Sequence, residues 1–350
     1  MSKHKIDIPL LKVICEKPGA PGYEKEIRDF IVEQIKPYVD SLDIDNLGNV
    51  IAFKKGKSDE KIMAAAHLDE IGFMVTHIDD NGFLRFHTLG GFDPKTLTAQ
   101  RVIIHGKKDL IGVMGSKPIH IMSPEERTKS PKTTDYFIDL GMSKKEVEKW
   151  IEIGNPITRE RELIEMGDCI NSKSLDNRVS VFVLLEAFKR LKNPAHDFYA
   201  VFTVQEEIGI RGAQVAAIAI QPDFGIAIDT TIAFDVPGAA AHEKVTSLGE
   251  GVAVKIMDSA TVCDYRMVAF MKETATKHKI KFQPEILTAG GTDTAAIQRF
   301  TAGGAIAGAL SIPTRHIHQV IEMVHKDDVA LAIELLIHLV EDMNDYNWEH

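Results

Sequence analysis

Phe198-Tyr-Ala-Val-Phe-Thr-Val204 runs for seven residues without a charge and then breaks into Gln205-Glu206-Glu207-Ile208-Gly209. An apolar run of this length, closed by turn residues, is read as a buried strand. Two other segments have the same form. Lys61-Ile-Met-Ala-Ala-Ala66 leads into His67-Leu68-Asp69-Glu70, and Phe224-Gly-Ile-Ala-Ile228 leads into Asp229-Thr230. Apolar helical patterns cover 179–191, 265–280 and 328–343, with a further strand over 305–312. Strand alternating with helix predicts an α/β architecture, a mainly parallel mixed sheet sandwiched by helices. Upstream, Ile27, Phe30, Ile31 and Ile35 share one helical face, and Pro37 ends that helix. Asp45-Asn-Leu-Gly-Asn49 reads as a turn between short strands.

The pattern changes after residue 71. Gly72-Phe-Met-Val-Thr-His-Ile78, Phe83-Leu-Arg-Phe86, Arg101-Val-Ile-Ile-His105 and Leu110-Ile-Gly-Val-Met114 are short alternating runs between Gly turns, the signature of a small β-rich module. Residues 123–135 read as an exposed, mobile loop. If His67 meets the later motifs, residues 72–165 are an insertion. The main domain, 1–71 and 166–350, is then discontinuous in sequence.

Composition narrows the class. Among 350 residues, 44% are hydrophobic and 26% charged, the balance of a soluble enzyme with a sizeable core. A net charge of −10 argues against a broad nucleic-acid surface. No apolar stretch approaches the ~20 residues of a membrane helix. The basic start of the chain lacks the apolar run of a signal peptide. Cys15, Cys169 and Cys263 form no CxxC pair, which fits a reducing, cytoplasmic compartment.

The strand-ending motifs converge if ligands gather at the carboxyl edge of the sheet. Leu175-Asp176-Asn177-Arg178 and His316-Ile317-His318 add an acid and an imidazole. Two imidazoles (His67, His318) and three carboxylates (Asp176, Glu207, Asp229), with no thiolate, suit Zn²⁺, Co²⁺ or Mn²⁺ better than Ca²⁺. They outnumber the ligands of one tetrahedral ion, and two ions about 3.5–4 Å apart could polarise a carbonyl and activate a water. Plainer readings stand beside these. Asp176 could cap the following helix, Asp229 could cap a turn, Glu206-Glu207 could be a solvated pair, and both imidazoles could be ordinary. Asp69 could orient His67 or be a loop carboxylate. Gly290-Gly291-Thr292-Asp293 could aim backbone N–H groups into a site or form a simple turn. No HExxH, GxSxG or complete phosphate loop is present.

At these residues the chain resembles the tetrahedral aminopeptidase family, which includes glutamyl aminopeptidases, over nearly its whole length. The motifs that carry the resemblance are His67-Leu-Asp-Glu-Ile-Gly-Phe73, Val204-Gln-Glu-Glu-Ile-Gly-Ile-Arg-Gly-Ala213, Asp229-Thr-Thr-Ile-Ala-Phe-Asp-Val-Pro-Gly238, Ala289-Gly-Gly-Thr-Asp293 and Pro313-Thr-Arg-His-Ile-His318. The resemblance implies a zinc-peptidase-like domain carrying an inserted PDZ-like dimerisation domain. It implies that His67 and Asp229 serve one metal ion, Glu207 and His318 a second, and Asp176 both. Glu206 would be the general base and Asp69 would hold His67. Gly290, Gly291 and Thr292 are assigned to substrate binding. The implied substrates are short peptides, the implied assembly a dodecamer built from six dimers, and the bond after Asp176 is expected to be cis. Asn177, His316, Gln319 and Gly249-Glu-Gly251-Val252 depart from the family pattern, which leaves side-chain preference open. The rival readings are a related dinuclear amidohydrolase (deacylase or carboxypeptidase) and a non-enzymatic binding module.

Overall fold

The computed structural model describes residues 5–350; residues 1–4, part of the basic start read above, lie outside the described residues. In the strand Lys61–His67, alternate side chains are buried on opposite faces. Ile62, Ala64 and Ala66 join a core with Val179, Phe182 and Leu336, whereas Met63 and Ala65 join another with Ala216, Ile220 and Ile297. A strand apolar on both faces belongs in the middle of a sheet covered by helices on each side. The helices Leu175–Arg190 and Lys326–Asp342 cover one face; Arg211–Ile220 and Asp293–Arg299 cover the other. Leu175–Arg190 is buried almost all round, as the apolar stretch Val179–Leu185, broken only by Ser180, requires.

The sheet has eleven strands. Asp197–Thr203, Lys61–His67, Phe224–Ile232 and Ile306–Arg315 lie side by side in parallel, in the order listed. Outside them Ser41–Ile44 and Val50–Lys54 form an antiparallel hairpin, and Glu322–His325, Cys169–Ser172 and Ile164–Met166 also pair antiparallel. The expectation of a mainly parallel sheet therefore holds for the centre and not the flanks, where hairpins need no crossover. The Asp45 turn is one such device: its Oδ1 accepts the N–H groups of Leu47, Gly48 and Asn49 at 2.9–3.0 Å.

Residues 72–159 form a closed antiparallel barrel of six strands, with its own core of Phe73, Leu84, Val102, Ile104, Ile138 and Ile157. Ile164–Met166 already belongs to the large sheet. The chain thus returns a few residues before the change of pattern suggested. The segment read as a loop over 123–135 is exposed and contains a helical turn, Pro124–Thr128. There Ser123 and Glu126 satisfy each other's backbone N–H groups.

Beneath the carboxyl edge lies a buried ionic knot. Lys173 Nζ donates to both oxygens of Glu70 at 2.7 Å, and Ser174 Oγ donates to the same carboxylate. Arg178, fully buried, donates to the carbonyls of Leu68 and Ile14 at 2.6 Å and of Lys17 at 2.9 Å. It fastens the first helix, Ile8–Glu16, to the end of the strand bearing His67. Removing Glu70 leaves two buried cations without a counter-charge. We expect Glu70→Ala to lose about 3–5 kcal/mol of stability, read as a lower denaturation midpoint with an unchanged urea dependence.

Candidate metal centre

Parallel register aligns the site. His67 lies opposite Thr203, and Asp229 is two residues beyond Ala227, the partner of Ala65, so His67, Thr203 and Asp229 stand at one level. Asp229 lies within its strand, which continues to Ile232; it does not cap a turn as the sequence allowed. The correction follows from Thr230–Ile232 pairing with Ile312–Thr314. Asp176 sits where the chain enters helix Leu175–Arg190, at a residue with extended backbone angles followed by a cis bond to Asn177.

The five expected ligands and Glu206 come together. His67 Nε2 lies 3.6 Å from Asp176 Oδ1, 3.8 Å from Glu206 Oε2 and 3.9 Å from Asp229 Oδ1. His318 Nε2 lies 3.2 Å from Asp176 Oδ2 and 3.5 Å from Glu207 Oε2. Ligand atoms of His67, Asp176 and Asp229 fall within 4.8 Å of one another, as do those of Asp176, Glu207 and His318. Asp176 is thus shared, one oxygen toward each imidazole.

Electrostatics test whether cations fit. Burial pushes the Glu207 carboxyl up to about 7 and holds those of Glu206 and Asp229 well above the usual range; neighbouring carboxylates add to this in all three. Burial opposes the charge on His318 too, yet Glu207 and Asp176 raise that ring to about 10. Asp176 alone is held low: burial is overcome by the imidazoles on either side. Protons are held where the buried negative charge exceeds the positive. Glu207 Oε1 is also buried without a hydrogen-bond partner. A surplus of carboxylate oxygen with two imidazoles fits divalent cations.

A second layer fixes these groups. His67 Nδ1 meets the Asp69 carbonyl at 3.0 Å, and the Asp69 carboxylate accepts the N–H groups of Glu206 (3.0 Å) and Glu207 (3.1 Å). Glu24 Oε1 accepts the N–H of Gln205 at 3.1 Å, completing the support of that turn. Glu322 accepts the N–H groups of Asp176 at 2.9 Å and His318 at 2.8 Å. The barrel contributes as well: Gly91 carbonyl accepts from His318 Nδ1 at 2.8 Å, and Arg159 donates to the His318 carbonyl at 3.1 Å. Glu24, Glu322, Gly91 and Arg159 escaped the sequence reading, because a carboxylate that accepts backbone N–H groups has no motif of its own. Glu322 carried one hint, its spacing of four residues from His318.

Asn177 donates Nδ2 to the Ile228 carbonyl at 3.0 Å, a contact an ionised Asp could not make. Gly249 and Gly251 donate to Asp328, and neither lines the site. His316, Gln319, Gly290, Gly291 and Thr292 do line it, in a cavity of about 730 Å³ containing the ligands. The helix after Thr292, Asp293–Arg299, spans only seven residues. The Gly290-Gly291-Thr292 turn that opens it forms part of the cavity wall.

Comparison with known proteins places the chain in a family. The chain is 41% identical to an aminopeptidase-named protein of Acetivibrio thermocellus, over 95% of this chain and 97% of that one. The structure matches aminopeptidase APDkam598 of the archaeon Desulfurococcus kamchatkensis with a TM-score of 0.92 and 39% identity, over 96% and 94% of the two chains. It matches the Pyrococcus horikoshii TET1 peptidase, described as assembling into a tetrahedron or a large octahedral shell, with a TM-score of 0.85 and 31% identity over 95% and 98%. The model of the M42 glutamyl aminopeptidase family matches residues 48–335. With carboxylates and imidazoles poised for cations at its sheet edge, the chain belongs to the M42 glutamyl aminopeptidase family, whose members are metal-dependent peptide hydrolases.

Proposed function

We propose that His67 and Asp229 hold one divalent cation, Glu207 and His318 a second, and Asp176 both. The enzyme then removes the first residue from short peptides with Glu206 as general base. The observation that carries this reading is the double-faced Asp176, with Oδ1 3.6 Å from one imidazole and Oδ2 3.2 Å from the other. When bound, the cation pair, Zn²⁺ or Co²⁺ foremost and Mn²⁺ next, supplies Lewis acidity toward the scissile carbonyl and the attacking water. Glu206 Oε2 takes the proton from that water and returns it to the nitrogen of the departing peptide. Its burial, which favours the protonated form, suits a group that must both accept and release a proton. Asp69 positions Glu206 and Glu207 through their backbone N–H groups and His67 through its ring. Gly290, Gly291 and Thr292 form a wall along which the substrate lies.

Residues 72–165 act as the PDZ-like dimerisation unit in this reading, inserted between the halves 1–71 and 166–350 of the catalytic domain. Relatives that form closed shells support a homo-oligomer of dimers, with a dodecamer as its closed form. Among the described residues no helix is long and apolar enough to cross a membrane, and all three cysteines are free. These features support a cytoplasmic enzyme acting on peptides.

Glu206→Gln keeps the shape and removes the base. It should lower kcat about 10²–10⁴-fold with KM and cation stoichiometry nearly unchanged, measured on aminoacyl anilides with Zn²⁺- or Co²⁺-loaded protein. Full activity in this variant refutes the role of Glu206. Glu322→Gln keeps one backbone acceptor and sets an NH₂ against the second N–H. Titration of metal-stripped protein should then show about 10–100-fold weaker cation binding, confined to the His318 side if the NH₂ faces the His318 N–H and felt by both cations if it faces that of Asp176.

A further inference from the structure

Thr231 follows Asp229 by two residues on one strand, so the two side chains share a face about 7 Å apart. Thr231 Oγ1 donates to Glu285 Oε1 at 2.7 Å, and the same oxygen accepts from Lys255 Nζ. Lys255 Nζ also lies 3.6 Å from Asp258 Oδ2. Lys255, Asp258 and Glu285 are 1%, 2% and 0% exposed. One ammonium is therefore buried against two carboxylates, next to the catalytic residues. Asp258 Oδ1 is occupied by the N–H groups of Ala260 (2.9 Å) and Thr261 (2.8 Å), whereas Asp258 Oδ2 and Glu285 Oε2 have no hydrogen-bond partner.

Lys255 and Asp258, both almost wholly buried, line the same cavity as the ligands, and Ile210, Ile232 and Leu287 make apolar wall. Among the described residues Lys255 is the only lysine or arginine lining that cavity, and Glu285 already neutralises it.

We propose that this recess receives the side chain of the first residue of the peptide, that it takes extended uncharged chains, and that it excludes acidic ones. The inference rests on the aminopeptidase reading above, which sets the scissile carbonyl beside Asp176 and Asp229. Removal of a single residue requires that the space beyond the scissile bond be bounded, and the buried Lys255–Asp258 pair supplies floor on the side of the cavity that Thr231 joins to Asp229. An aspartate or glutamate side chain entering it loses its water and meets a surplus of buried negative charge with no free cation to receive it. A leucine or methionine side chain meets apolar wall and asks nothing of the unpaired oxygens. A lysine chain carries the favourable sign but loses solvation, so it ranks between.

The test is kcat/KM of the Zn²⁺- or Co²⁺-loaded, full-length protein on the p-nitroanilides of Leu, Lys and Glu. The expected order is Leu above Lys above Glu, with Glu about 100-fold or more below Leu, the size of a like-charge penalty. Asp258→Asn and, separately, Glu285→Gln each remove one negative charge and should raise the Glu-to-Leu ratio about tenfold or more. Glu turnover within tenfold of Leu, or above Lys, overturns the proposal, whatever becomes of the variants. An unmoved ratio in both variants, with Leu hydrolysis retained, overturns the assignment to this ionic cluster. If the wild type hydrolyses none of the three, the aminopeptidase reading fails first and takes this inference with it.

Discussion

The Asp176 carboxylate has to face two imidazoles that arrive from opposite ends of the chain. His67 ends the third strand of the sequence, and His318 lies in the turn between Ile306–Arg315 and Glu322–His325. Neither is a neighbour of Asp176 in sequence. What brings the three together is register: parallel pairing that fixes the level of His67 in the sheet, and a helix entry whose first residues depart from helical geometry. A slip of one residue in the strand Lys61–His67 would turn His67 to the other face of the sheet and Ala66 toward the site. The apolar alternation of Ile62, Met63, Ala64 and Ala65 between two cores prevents that slip.

Around this centre, buried carboxylates do two different jobs. Asp176, Glu207 and Asp229 point their oxygens into a space crowded with like charge, where their protonation is distorted. Asp69, Glu24 and Glu322 instead accept backbone N–H groups from the turns that carry those ligands. The second set makes the first possible, because a turn with its N–H groups satisfied by fixed side chains does not relax away from repulsion. Arg178 and Lys173, tied to Glu70 and to main-chain carbonyls, supply the buried positive charge below this layer.

The convergence of His67, Glu206, Glu207 and Asp229 was legible because each stands where an apolar run stops, as in Ala66-His67 and Val204-Gln-Glu-Glu207. The α/β layering was legible from the same runs. The barrel was visible only as a change of pattern, since strand pairing among 72–159 depends on non-local closure that no window of sequence contains. Glu24 was invisible and Glu322 nearly so: each accepts one N–H from a residue close in sequence, but the N–H groups of Gln205 and Asp176 that they also hold lie more than 140 residues away. Asp176 was legible as a site residue yet ambiguous as a helix cap. The structure resolves the ambiguity by giving it extended backbone angles and two imidazole neighbours. Asn177, which looked like a loss of charge beside the ligands, instead supplies a donor to Ile228.

His318 is held by two hands from the barrel, the Gly91 carbonyl on its ring and the Arg159 guanidinium on its main chain. The barrel is therefore no detachable ornament on the hydrolytic core. Evolution could lengthen or restyle its outer turns freely, but trimming the whole module would unseat an imidazole some 160 residues later in the chain, since Arg159 and His318 are 159 positions apart. An appendage wired in this way keeps its place by necessity, and a nudge to the barrel from a neighbouring subunit would reach the hydrolytic centre along two bonds.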